Sequence, residues 1–309
     1  MKVAVFDLGS NTTKLLVAEV DDHGNPQVVA EESRACRLTT GGGEEFRFPE
    51  RSIKRLLKVL AELMEIAHGH EAVRIKAVAT EAFRRSENSQ DLIDLTQSSL
   101  GLPISVLSGL EEAGAIAGGL LSDPLIARFD DFHAIDLGGG SMEVIAVNDG
   151  AVAALESLPL GSAVLSARFC PDANCEWSDS VCLDAKNYVA SLIRTMDSRI
   201  LSTPCLSLIG AGGTLVFLRA ILANEARVKI EEKSVIKLSE VDDLFEKISS
   251  MSLEERKENY PALPHSRADI FPAGLLVLSV VMNSFNRTQI VHSYRNLRHG
   301  IAMELANKE

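Results

Sequence analysis

Two aspartates, each followed by a turn of small residues, are the groups in this 309-residue chain best suited to holding an anion. Asp7 opens Asp7-Leu8-Gly9-Ser10-Asn11-Thr12, and Asp136 opens Asp136-Leu137-Gly138-Gly139-Gly140-Ser141. Aligned, Gly9 falls on Gly138, Thr12 on Ser141 and Lys14 on Glu143. Glycine lets backbone amides approach a ligand, and successive amides in a tight turn form a concave nest of partial positive charge. The hydroxyls of Ser10, Thr12 and Ser141 add donors. An aspartate at the mouth of such a turn suits hydrated magnesium, whose near-octahedral shell combines one or two carboxylates with substrate oxygens. Asp7 and Asp136 are therefore candidate ligands. A third glycine turn, Gly210-Ala211-Gly212-Gly213-Thr214, follows an apolar run and opens a helix, which makes Gly212 and Gly213 candidate anion contacts. One such string is compatible with an ordinary hairpin turn. Two copies at matched spacing imply two related halves with equivalent loops.

The elements that deliver these loops are legible in the flanking residues. Each Asp-Leu-Gly copy lies between apolar β-rich runs and reads as a strand-turn-strand hairpin. A third strand is expected over 27–33, a polar glycine-rich segment over 39–45, and a helix over 49–68. That helix carries Ile53, Leu56, Leu57, Leu60, Leu63, Met64 and Ala67 on one face. A strand over 73–79, a helix or turn over 81–85 and a strand over 104–107 lead to a helix over 110–121. Glu111 and Glu112 sit at its start, where the helix dipole favours acids. Its run of small residues from Ala113 to Gly119 implies a close neighbour. Residues 123–131 read as the connection between halves. The second half is expected to contain a strand over 152–158, helices over 162–169 and 183–201, and a strand over 206–209 feeding the third glycine turn. Helices to Leu222 and over 239–251, 252–260 and 271–285 follow, then a strand over 289–293 and a closing helix over 297–308.

Composition excludes some classes. A formal charge of −12 argues against broad nucleic-acid binding, which rests on a basic face. An anionic ligand therefore needs local cations, for which Lys14, Arg37, Arg47, Arg84, Arg85, Arg267, Arg295 and Arg298 are candidates. The longest apolar stretch, 270–282, contains Pro272 and is shorter than the roughly 20 residues a membrane helix needs. With a strand at the N-terminus in place of a secretory leader, the expectation is a soluble, cytoplasmic protein with no membrane partner. Self-association as a homodimer is left open. Cysteines 36, 170, 175, 182 and 205 form an odd set with no C-x-x-C pair, so reduced thiols are expected. The cluster Cys170, Cys175 and Cys182 near Trp177 matches no structural zinc spacing.

Taken in order, these motifs carry a resemblance. DLGSNTTKLLV at 7–17, VATEAFRRSEN at 78–88, LSGLEEAGAIAGGL at 107–120, IDLGGGSMEV at 135–144, GAGGT at 210–214, RADIFPAGLLVL at 267–278 and LRHGIAMEL at 297–305 together resemble the exopolyphosphatase and guanosine pentaphosphate phosphohydrolase family. That family lies in the acetate and sugar kinase, Hsp70 and actin superfamily. The resemblance implies an α/β fold of two ribonuclease H-like domains facing across a cleft, the first formed by 1–124 plus 297–309 and the second by 125–296. It implies magnesium-aided removal of the terminal phosphate from inorganic polyphosphate, with guanosine pentaphosphate as the alternative substrate. It places the catalytic glutamate at Glu112, with Glu111 as the fallback, and the family's other acidic positions at Asp136 and Glu143, with Asp7 in the first loop. On this reading Gly9, Ser10, Asn11, Thr12, Gly138, Gly139, Gly140 and Ser141 hold phosphoryl oxygens, and Lys14 and Arg84 supply positive charge to phosphate. Thr12-Thr13 and Met142 depart from the commoner family residues but keep the glycine and carboxylate chemistry. The extra C-terminal domains of long family members have no counterpart in these 309 residues, so the resemblance implies an expected preference for short chains. An ATP-binding kinase-like protein or a noncatalytic phosphate sensor would use similar loops.

Overall fold

The two Asp-Leu-Gly copies fold as the same object. In the structure, a computed structural model describing residues 1–38, 46–174 and 177–307, β1 (Lys2–Leu8) pairs antiparallel with β2 (Thr12–Val20), and β6 (Phe132–Leu137) pairs antiparallel with β7 (Met142–Asn148). Asp7 faces Lys14 across the first hairpin, and Asp136 faces Glu143 across the second. Each hairpin continues into a third antiparallel strand, β3 (Pro26–Ala35) or β8 (Ala151–Leu158). The register slips at Val17/Ala18 in one copy and at Ala146/Val147 in the other, which are equivalent positions. The segment 39–45 and Cys175 lie outside the described residues.

Two compact units result, one comprising Met1–Ala127 and the residues from Arg295 onward, the other Arg128–Tyr294. In the first, the sheet order is β3-β2-β1-β4-β5, with β4 (Arg74–Ala79) and β5 (Ile104–Val106) added parallel to β1. In the second it is β10-β11-β9-β6-β7-β8, where β9 (Ser207–Ala211) and β11 (Gln289–His292) extend β6 in parallel and β10 (Val235–Lys237) closes the edge. Parallel strands need crossover connections, so helices must cover these sheets.

Helix α1 (Glu50–Gly69) shows how sequence pattern becomes packing. Leu56, Leu60, Leu63 and Ala67 recur at helical spacing and are buried with Phe6, Leu8 and Leu15 of the first sheet. Leu57, expected on that face, is only half-buried, and Val59 takes a buried place instead. Between β4 and β5 run the short helix α2 (Glu81–Arg85), where a helix or turn is expected, and α3 (Ser89–Leu100), for which the sequence gives no expected element. Helix α4 (Gly109–Leu121) follows β5.

The second unit follows the expected order apart from the short edge strand β10, which is not expected from the sequence, and one helix that divides. The stretch read as a single helix over 183–201 is two: α6 (Asp179–Arg194), begun by a Ser178 cap, and α7 (Ser198–Ser202), begun by Asp197. Thr195 Oγ1 turns back onto the Leu192 carbonyl at 2.8 Å, and the Asp197 amide donates to Glu156 Oε2 at 2.7 Å. These local bonds compete with the helical ladder and end it. Around the break lie α5 (Ser162–Phe169), α8 (Gly213–Ala226), α9 (Leu238–Ser249), α10 (Leu253–Asn259) and α11 (Phe271–Ser284). Apolar nearly all round, α11 is the central core helix of its unit, and among the described residues no helix is long and apolar enough to cross a membrane.

The last helix, α12 (Leu297–Asn307), is the neighbour that the small residues of α4 require. A Cβ on Gly300 would lie 1.9 Å from the Ala115 carbonyl oxygen, and one on Gly119 would lie 2.1 Å from that of Asn296. The two backbones touch, so no methyl fits. Gly300→Ala is expected to destabilise the fold toward the upper end of the about 1–3 kcal/mol typical of overpacking. Gly69→Ala, where a Cβ meets nothing within 4 Å, is expected to be neutral or mildly stabilising. Denaturant midpoints of the two variants check both expectations.

Candidate active site

The predicted site residues fall into one group in each unit. In the first, the turn after β1 is closed by Gly9 N donating to Thr12 O at 3.1 Å. The carbonyls of Ser10 and Asn11 accept from the amides of Leu38, Cys36 and Arg37 at 2.9–3.0 Å, which fixes the turn from behind. Ser10, expected to donate to a ligand, instead donates from Oγ to Glu81 Oε2 at 3.2 Å, and Glu81 is buried and salt-bridged to Arg85. Asp7 and Lys14, directly opposite in register, form an oppositely charged cross-strand pair.

Helix α2 links this turn to the glutamate of α4. Glu81 at its start touches Ser10, and Arg84 near its end donates from Nη1 to Glu112 Oε2 at 2.7 Å and to the Leu107 carbonyl at 2.8 Å. Glu112 is buried, whereas about a quarter of the Arg84 side chain is exposed. The adjacent acid has a different job. Glu111 accepts from the Ser108 amide at 2.7 Å while its own amide donates to Ser108 Oγ, a capping box that starts α4. The Ser108 amide and hydroxyl hold the exposed Glu111 carboxyl below the usual carboxylate range. Glu111 thus fits the helix-terminus role, whereas Glu112 is buried and paired with Arg84.

In the second unit, Gly138 N donates to Ser141 O at 3.0 Å, the equivalent of the bond that closes the first turn. Here the N-terminus of α5 supports it. Ser162 N donates to Gly138 O at 3.1 Å and Ala163 N to Gly139 O at 2.9 Å. With these carbonyls turned toward α5 and the Gly138 amide spent on Ser141, the following amides of the glycine turn are the ones suited to an anion. Gly161 makes this possible, because a Cβ there would lie 2.2 Å from the Gly139 oxygen. The third glycine turn packs onto the same strand end. Gly212, at φ +100°, would place a Cβ 2.6 Å from Asp136 Oδ1 and 2.4 Å from Leu137 O. A Cβ on Gly213, at the first turn of α8, would have the Arg267 guanidinium as its nearest neighbour, at 3.7 Å. Loop 138–141, Asp136, Gly212 and the start of α8 therefore converge within one unit.

The charge pattern separates the two copies. Where Asp7 faces a lysine, Asp136 faces a second carboxylate, the buried Glu143, and like charges directly opposite are destabilising without a compensating cation. Two hard oxygen ligands fit magnesium, which fills its shell with water and substrate oxygens. Among the described residues no group of three or more His, Cys, Asp or Glu is placed to hold a metal ion. Cys170 and Cys182 direct their thiols to the carbonyls of Asp172 and Trp177, and Cys175 of that cluster lies outside the described residues.

Several basic candidates have structural partners. Arg295 donates to Ser122, Arg298 to the Leu15 carbonyl and Glu31, and exposed Arg47 pairs with Glu87. Sequence reasoning passed over Glu81 and Gly161. Glu81 stands in the quoted VATEAFRR motif next to Arg84, a usable signal; Gly161, alone between Leu160 and Ser162, gives none.

The model of the Ppx/GppA phosphatase family matches residues 16–309. "Exopolyphosphatase 2" of Mycobacterium tuberculosis is 29% identical, covering 99% of this chain and 98% of its own. "Guanosine-5'-triphosphate,3'-diphosphate pyrophosphatase" of Photobacterium profundum is 27% identical over 99% of this chain and 59% of its own. Among solved structures, an exopolyphosphatase from Cytophaga hutchinsonii superposes with a TM-score of 0.89 at 23% identity, covering 100% of this chain and 99% of that one. A Ppx/GppA family member from Aquifex aeolicus gives 0.80 at 22% identity, covering 100% and 99%. These neighbours share the two-sheet α/β architecture implied by the family resemblance. By sequence match along nearly its whole length, the chain belongs to the Ppx/GppA phosphatase family.

Proposed function

We propose that this protein is an exopolyphosphatase that hydrolyses the terminal phosphoanhydride of inorganic polyphosphate and releases orthophosphate. The observation that carries the reading is Glu112, a buried carboxylate at the head of α4 with one oxygen held by Arg84. Hydrolysis of a phosphoanhydride demands a positioned water, neutralisation of charge on the transferred phosphoryl group and in-line geometry. Glu112 orients the water and takes its proton as the water oxygen bonds to the terminal phosphorus and the bridging P–O bond breaks. Arg84, bonded at once to Glu112 and to the Leu107 carbonyl, acts through Glu112 as a positioning residue. In each unit the turn amides other than those of Gly9 and Gly138, which close the turns, are offered to phosphoryl oxygens, and in the second unit Gly213 with the neighbouring Arg267 adds an anion contact at the start of α8.

Asp136 and Glu143 are the residues to hold magnesium, whose chemistry when bound is to neutralise phosphoryl oxygens. Asp7 is a weaker candidate for a ligand, since Lys14 already balances its charge. Operation in the cytoplasm accords with the described cysteines, none of which forms a disulfide.

Guanosine pentaphosphate is the second reading, favoured by the Photobacterium relative named for a guanosine substrate. A phosphate-release assay across polyphosphates of several lengths and guanosine pentaphosphate, with and without magnesium, tests both. Magnesium-dependent release from polyphosphate is expected, lost when the metal is chelated. A higher kcat/KM for guanosine pentaphosphate would reassign the substrate. No release from either at high enzyme concentration, with binding retained, would leave a noncatalytic sensor.

A further inference from the structure

The acidic pair of the second unit has a third member on the next strand. Across β6, β7 and β8, Asp136, Glu143 and Ser157 lie in one cross-strand row. Side chains directly opposite on adjacent antiparallel strands share a face. Ser157 Oγ donates to Glu143 Oε1 at 2.8 Å. Glu143 is 2% exposed, so water has little access to replace that bond. The carboxylate torsion of a glutamate is broad when unconstrained. A hydroxyl bound to one oxygen sets the plane of the group and leaves the other oxygen a defined direction.

The first unit supplies an internal control. Its equivalent row is Asp7, Lys14 and Ser33, with the serine again on the third strand. There the middle position is a lysine, which already balances the aspartate, and Ser33 is exposed. The frame is shared, but in the second unit the row's serine is bonded to a buried carboxylate that stands opposite an aspartate. Position within the fold alone therefore does not explain the Ser157 bond.

We infer that Ser157 is a positioning residue for the reaction: it orients Glu143 so that Glu143 and Asp136 together take up a divalent cation. This rests on the reading of Asp136 and Glu143 as magnesium-holding residues. Groups that hydrogen bond a metal-ligating carboxylate typically change metal affinity by about 10- to 100-fold when removed. A neutral hydroxyl on one oxygen belongs at the low end of that range.

The test is direct binding of manganese, as a paramagnetic stand-in for magnesium, to the purified full chain without substrate, read from the free-ion electron paramagnetic resonance signal. Ser157→Ala is expected to weaken manganese binding about tenfold, with its thermal midpoint close to wild type. Ser157→Thr, which keeps the hydroxyl, is expected to restore affinity to within about threefold of wild type, as expected when the bond to the carboxylate is kept. Should Ser157→Ala bind manganese as tightly as the wild type, the positioning role is overturned while the cation site stands. If Ser157→Thr binds as weakly as Ser157→Ala, the hydroxyl bond is not the cause and the role is likewise overturned. No manganese binding by the wild type, or equal binding by wild type and Asp136→Asn, overturns the underlying cation reading as well. Those last two outcomes involve wild type and Asp136 only, so they separate the two failures.

Discussion

Replacing Glu112 by glutamine is expected to lower kcat for orthophosphate release by about 10²- to 10⁴-fold, the usual worth of a general base. The amide keeps the size and one oxygen of the carboxylate but cannot take a proton from water. Melting temperature should move little, because Arg84 keeps its bond to the Leu107 carbonyl and about a quarter of its side chain meets solvent. The competing account makes Glu112–Arg84 a buried structural ion pair. Removing one partner of such a pair typically costs about 3–5 kcal/mol. That account predicts a large fall in stability and near-normal turnover of the molecules that remain folded. Measuring kcat beside the denaturation midpoint separates the two, and near-wild-type kcat would remove Glu112 from the chemistry. Glu111→Ala should instead leave kcat near wild type and weaken the start of α4, since it removes the acceptor for the Ser108 amide.

The second large effect is expected at Gly212. Its φ of +100° disfavours any side chain, and an added Cβ would press on Leu137 O at 2.4 Å and on Asp136 Oδ1 at 2.6 Å. Backbone strain of this kind costs about 1–3 kcal/mol. Relief requires the third glycine turn to lift off β6 or Asp136 to turn away. A displacement near 1 Å at a positioned group is enough for about a 100-fold loss of rate. Gly212→Ala is therefore expected to lose at least about that much kcat/KM, together with a lower melting temperature. Gly150→Ala is the control, because Gly150 also has a positive φ, +70°, but its Cβ would meet nothing within 4 Å. It should show the stability cost with unchanged catalysis. Wild-type kcat/KM in Gly212→Ala would mean that the turn and Asp136 are not coupled.

The match between the two hairpins explains how far the sequence could be read. Asp7, Gly9 and Thr12 fall on Asp136, Gly138 and Ser141 in the sequence, and Gly9 N to Thr12 O recurs as Gly138 N to Ser141 O in the structure. A hairpin is closed by residues a few positions apart, so spacing alone suffices to find it. The apolar stripe of α1 was legible for the same reason, apart from the exchange of Leu57 for Val59 at its margin. Residues 89–100 gave a weaker signal: only Leu92 and Thr96 of α3 are buried, too few to mark an apolar face. The break between α6 and α7 escaped because Glu156, which holds the Asp197 amide, comes from a distant strand.

The chain's own residue order determined the duplicated turns, the glycines within them, the alternation of strands and helices, and the presence of Glu111 and Glu112 at a helix start. Only the tertiary structure gives the two acids different partners. Glu111 is taken by a cap three residues away, whereas Glu112 meets Arg84 from 28 residues earlier. Likewise Ser157 reaches Glu143, and Gly161 clears space for Gly139, only because β8 and the turn after it fold back beside the second hairpin. Contacts within one turn of chain follow from local spacing. Contacts between elements depend on register and burial, which the packed sheets alone specify.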